Sequence, residues 1–158
     1  MLIVLVEEHR KNFRRLVAGA SALEAAHAAG TLSIRSQENL LRFYAAEVGL
    51  KFLLNSVQKV PFKHEISHKS DLHVEKYSHK LQDMVSDLKI PASRIPAPPP
   101  TQLRCIDGFN HGAGGQQFQL HAAHEAWRYG LTIEPNDEAA ISSYLTAVLS
   151  YLSQEIAP

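Results

Sequence analysis

With one cysteine, Cys105, the chain can form no intrachain disulfide and has no cysteine pair on which a zinc site could be built. It also lacks an excess of charge of either sign. Lys+Arg and Asp+Glu number 16 each, and the pI is near 7.1, so no global field draws in polyphosphate and a non-specific nucleic-acid coat is disfavoured. Long hydrophobic runs are missing as well. The apolar start Met1–Val6 passes at once into Glu7, Glu8, His9, Arg10 and Lys11, which is not the layout of a signal peptide. No window approaches the roughly 20 apolar residues of a membrane span, so a soluble, cytoplasmic protein without a membrane partner is expected.

What is present is ample apolar material in helical periods. Hydrophobic residues make up 45% of 158, enough for one domain with a core, and the whole of 1–158 reads as one domain. Phe13, Leu16, Val17, Ala20, Leu23 and His27 predict a first helix over 7–29, with Gly30 at its left-handed cap. A second should start near Ser36 and carry Leu40, Phe43, Glu47, Leu50 and Leu54 on one face. Gly49 inside it costs about 1 kcal/mol relative to alanine, which a close helix contact would offset. Asp71 could cap a third helix with the stripe Val74, Tyr77, Leu81, Met84, Val85 and Leu88, stopped by Pro91. A fourth is predicted from Gln116 to Tyr129, closed by Gly130. The fifth should open at Pro135, with Asp137 and Glu138 in its positive first turn. Between the third and fourth, residues 91–115 hold five prolines and then four glycines, which predicts a long Pro/Gly-rich loop. The expected fold class is all-α, a compact bundle of four to five helices.

Histidine is the residue in unusual supply, nine in all. His64, His68, His73 and His79 fall within sixteen residues, and His121 and His124 stand three apart, a spacing at which two imidazoles on a helix can share a metal. No His-Glu-x-x-His is present, and neither a metal nor a cofactor is expected. Cys105 would need a base such as His111 to be a nucleophile, and a passive thiol is the simpler reading. Gly108–Gly115 lacks the Gly-Lys-Ser/Thr ending of a phosphate loop. Pro96 and Pro99 with Arg94 nearby resemble a ligand of SH3-type domains.

Three segments resemble the HEPN superfamily (higher eukaryotes and prokaryotes nucleotide-binding domains). Ala46–Lys51 continuing to Leu54 is similar to its small-acidic-x-x-Leu-Lys helix. Tyr77–Leu88 resembles the helix that opens with His-x-Leu, and Ala126, Trp127, Arg128, Tyr129 and Gly130 resemble a later Arg-Tyr. They occur in the expected order over roughly 36–156. The resemblance implies a small helical bundle, commonly a homodimer, that acts on or binds RNA or nucleotides, many members being RNases of toxin and antiviral systems. It implies Arg104 and His111, with six residues between them, as the catalytic pair, although here they fall in a Gly-rich loop instead of a helix. The histidine would serve as general base or acid at a ribose 2′-hydroxyl, and the arginine would stabilise charge on the phosphate. Glu47, Lys51, His79, Arg128 and Tyr129 are the binding candidates; alternatively these five form a hydrogen-bonded network that fixes helix register. A function of a different class is also open: a non-catalytic helical module that binds a protein partner through the Pro/Gly loop or a helix face.

Overall fold

The helical stripes of the sequence become, in the computed structural model, five α-helices and one two-stranded sheet among the described residues, which are 6–30, 35–68, 71–106 and 116–156. Helix α1 (Val6–Ala28) and helix α2 (Arg35–Ser56) form an antiparallel pair, Phe13 lying against Gly49 and Glu24 against Arg42. Gly30 follows α1 with φ +70°, the conformation that spares glycine a Cβ clash. Helix α5 (Pro135–Glu155) runs parallel to α2: Glu138 accepts from Asn39, Ser142 from Arg42, and Leu152 reaches Gly49. Pro135 begins α5 as expected, and the Glu134 carboxylate caps it by accepting the Asn136 and Asp137 amides at 3.0 and 3.1 Å.

The third expected helix is two pieces. A 3-10 helix at Val74–Tyr77 and a short α3 (Leu81–Asp87) are separated by Ser78, whose φ of 50° cannot continue a helical ladder. Val74, Tyr77, Leu81 and Met84 are nevertheless all buried, and the Tyr77 hydroxyl donates to Asp87 Oδ2 at 2.7 Å, tying the two pieces together. Period-three spacing is shared by a continuous helix and by two turns meeting at a kink, so the stripe did not reveal the break.

The fourth helix also starts later than the periodicity predicts. Residues Gln116–Phe118 form strand β2, paired antiparallel with β1 (Leu103–Cys105) in the register Leu103 to Phe118 and Cys105 to Gln116. A 3-10 turn at Leu120–Ala122 then leads into α4 (Ala123–Arg128). The backbone groups of 116–118 are satisfied by β1, a partner remote in sequence that no local period reveals. Gly130 ends α4 with φ +71°, the Leu131 amide donating to the Ala126 carbonyl at 2.8 Å in a Schellman-type closure.

The loop expected over 91–115 is not free along its described part. Ile95, Pro99, Leu103 and Cys105 are buried, and Cys105 bridges to Ile133. Arg94 lies 5.1 Å over the Tyr151 ring and donates to Gln154 at 2.6 Å. Residues 107–115, with their glycines and His111, lie outside the described residues. One hydrophobic cluster runs from Phe13 to Ile156, with Phe43, Leu50, Leu54, Phe62 and Met84 fully enclosed. No helix among the described residues is long and apolar enough to cross a membrane.

Gly49 should be the least substitutable glycine of the described chain. A Cβ there would stand 2.7 Å from Leu152 Cδ1 and 2.9 Å from Phe13 Cδ2. Gly49→Val is expected to cost about 1–3 kcal/mol by overpacking. Gly49→Ala should cost less, because alanine returns about 1 kcal/mol of helix propensity. Urea unfolding monitored by circular dichroism measures both, and a Gly49→Val midpoint equal to wild type would contradict the packing.

Candidate functional site

Of the sequence candidates, three are brought together. Glu47 is buried on α2, and its two oxygens are divided between two partners: Oε1 accepts from Lys51 Nζ at 2.6 Å and Oε2 bonds His79 Nδ1 at 2.7 Å. Lys51 is one helical turn further on, the i,i+4 order in which a glutamate preceding a lysine is favoured. His79 arrives from the kink after Ser78, 32 residues away in sequence.

Beneath His79 lies a residue that the sequence reading placed only in a helix stripe and an i,i+3 histidine pair. The His124 ring centroid is 4.1 Å from that of His79, and the ring stacks on Phe43 at 5.3 Å. His124 is buried, and its Nδ1 bonds the carbonyl oxygen of His121 at 2.8 Å. His121 and His124 therefore meet through a backbone carbonyl, and no group of three His, Cys, Asp or Glu side chains among the described residues could hold a metal ion. Burial, reinforced by nearby His79, holds the His124 imidazole below the usual histidine range. His9 of α1 is shifted in the same direction. It stacks on Phe62 at 4.6 Å, and burial lowers it first, with the Lys51 charge adding to the effect. A cleft of about 230 Å³ is lined by Lys80, Asp83, Thr101, Gln119 and His121, among others.

The other candidates sit elsewhere. Arg128 and Tyr129 close α4 in the open, the guanidinium carbon 5.1 Å over the phenol ring. Tyr129 is 70% exposed, an unusual state for so large a ring. Arg104 is on β1, on a strand and not in the helix the family pattern calls for. Its amide donates to Asp137 Oδ2 at 2.8 Å and its carbonyl accepts from the Glu134 amide. Its side chain is exposed, and neither Arg104 nor Arg128 pairs with a carboxylate among the described residues. The acidic groups nearby are otherwise engaged: Glu134 with the start of α5, Asp137 with the Arg104 amide, and Glu138 with Trp127 Nε1 and Asn39. His111, the second half of the catalytic pair, lies outside the described residues. Cys105 is buried. Pro99 is buried and Arg94 is bound to α5, so the segment that resembles an SH3 ligand does not present those groups to a partner.

A scan against protein-family models and searches of curated proteins and of solved structures return no match to this chain.

The two shifted histidines give stability a pH dependence of known sign. Their folded-state values lie below the unfolded ones, so the folded protein binds fewer protons. The stabilisation is complete above about pH 6.5 and is lost as pH falls through the folded values. His9→Phe keeps a ring on Phe62 but cannot titrate, and should flatten the loss of the urea midpoint between about pH 7 and 5. An unchanged slope would show that His9 does not contribute.

Proposed function

We propose that the chain is an HEPN-like helical protein that binds RNA or a nucleotide along the edge carrying Arg104, Arg128 and Tyr129, and that it works as a cytoplasmic homodimer. The observation that carries this reading is the exposed Tyr129 ring with the Arg128 guanidinium laid over it, neither Arg128 nor Arg104 pairing with a carboxylate among the described residues. An open aromatic face offers a base a stacking platform, and free guanidinium groups match phosphate in charge and fork geometry. Backbone pairing joins β1 to residues 132–134, which follow Tyr129 closely in the chain, and this supports grouping Arg104 with Arg128 and Tyr129. RNA cleavage belongs to the same proposal, with Arg104 stabilising phosphate charge and His111 moving a proton at the 2′-hydroxyl.

Fluorescence anisotropy with labelled single-stranded and hairpin RNAs, with mononucleotides as competitors and chelator present, tests it. Tyr129→Ala should weaken binding about tenfold, the loss of one stacked base. Arg128→Ala should weaken all sequences alike and reduce the salt slope by about one. A folded wild type that binds none of these ligands would refute the proposal.

A further inference from the structure

Resting on the homodimer of the reading above, we propose that two chains associate by laying their α1 helices antiparallel, each in the groove between the other's α1 and α5. Helix α1 is an outer element. Of its 23 residues only Phe13 and Ala20 are buried, and it packs chiefly on α2. Between it and α5 lie two cavities of about 240 and 270 Å³ that share Val17 and Ser153, so they form one groove along the helices. The floor is apolar: Phe13, Val17, Leu149 and Ile156 belong to the hydrophobic cluster or pack against it. Along the walls the exposed side chains are small, Ala18 and Ser21 on α1 and Thr146 and Ser150 on α5. Small walls let the backbone of an entering helix come close, and its apolar side chains then leave water over that floor.

The charges choose the occupant. Arg14 stands at one end of the groove and Glu24 at the other, both exposed. Ten positions separate them, about 15 Å along the helix. Glu24 is 61% exposed even while it bonds Arg42 at 3.2 Å, so a second cation can reach it. A second α1 laid antiparallel across a two-fold axis midway sets Arg14 against the partner's Glu24, and does so twice in the dimer. A parallel pair would oppose like charges at both ends. The surface is therefore complementary to itself, which is what a two-fold interface requires. The arrangement also fixes where the two binding edges lie. His27, in the last turn of α1, lines one cavity together with residues 130–133, so the edge carrying Tyr129 is at the C-terminal end of α1. Antiparallel α1 helices carry the two edges to opposite ends of the dimer, each complete within one chain. One RNA at each end follows, and a monomer keeps its site.

Sedimentation velocity of the full chain over a dilution series tests the groove, with circular dichroism to show that each variant folds. Wild type is expected to dimerise, and less strongly as salt rises. Arg14→Glu and Glu24→Arg should each weaken association about tenfold or more, because each sets like charges together twice. Mixed in equal amounts, the two variants should dimerise as wild type does, since every reversed charge then faces its opposite. A role of either residue in its own chain's fold cannot produce that rescue. In anisotropy, each single variant should bind RNA with the wild-type affinity per chain. A wild type that is monomeric at every concentration would overturn both this interface and the homodimer, leaving the RNA-binding edge to its own assay. Single variants that dimerise like wild type, or a mixture that does not recover, would place the dimer on another face. Folded monomeric variants that no longer bind the RNA wild type binds would show that the two edges act together, against the antiparallel arrangement. The association results stand whether or not RNA binds. Should a charge variant fail to fold, Ser153→Arg, which fills the groove from an exposed position on α5, should abolish the dimer, and a dimer of wild-type strength in that variant would overturn the interface.

Discussion

The close approach of three helices at Gly49 is the constraint on which the rest of this structure depends. Phe13 of α1 and Leu152 of α5 both lie where a side chain on residue 49 would stand. That vacancy lets α2 be enclosed on more than one side, and the core follows from it: Phe43, Leu50 and Leu54 are fully buried on faces a surface helix would leave wet. Glycine in a helix interior costs about 1 kcal/mol, and the dispersion contacts of two large side chains over it more than offset that cost.

An enclosed helix must also settle its polar groups. Each one on α2 that goes inside has a partner on another element or a turn away. Glu38 pairs with Arg42 at 2.9 Å, Asn39 donates to Glu138, and Glu47 is divided between Lys51 and His79. No buried side-chain nitrogen or oxygen among the described residues lacks a hydrogen bond. Such pairs add little net stability compared with apolar replacements, but a shift of α2 along its neighbours would orphan several charges at once. The binding candidates Glu47, Lys51 and His79 therefore serve the fold whatever else they do. His79 differs from the other two in being partly exposed, with 37% of its side chain open against 11% for Glu47 and 13% for Lys51.

The molecule thus has two chemically distinct regions. Around Glu47 the charges are paired and mostly enclosed. At the end of α4 and on β1, Arg104, Arg128 and Tyr129 are exposed, Arg128 touching only Tyr129 among the described residues, and the carboxylates nearby are occupied by helix capping and backbone amides. Residue α4 position 124 belongs to the first region and position 128 to the second, so one short helix joins them.

Local chemistry was legible in the sequence because it acts over a few residues. The extents of α1 and α2, Pro135 at the head of α5, the glycine stops at Gly30 and Gly130, and a need for close contact at Gly49 all follow from periodicity, capping and backbone freedom. The stripe of Leu120, Ala123, His124 and Trp127 was also right about burial. Tertiary structure alone decided the kink at Ser78, the strand at Gln116–Phe118 and the packing of Pro99, because each exchanges local hydrogen bonds or solvent for partners far along the chain. The same holds for the site. That Glu47 and Lys51 face each other is readable from i,i+4 spacing, but His79 meeting Glu47 and resting on His124 depends on where three separate segments dock. A contact between residues 32 or more apart leaves no period in the sequence, and only the packed core fixes it.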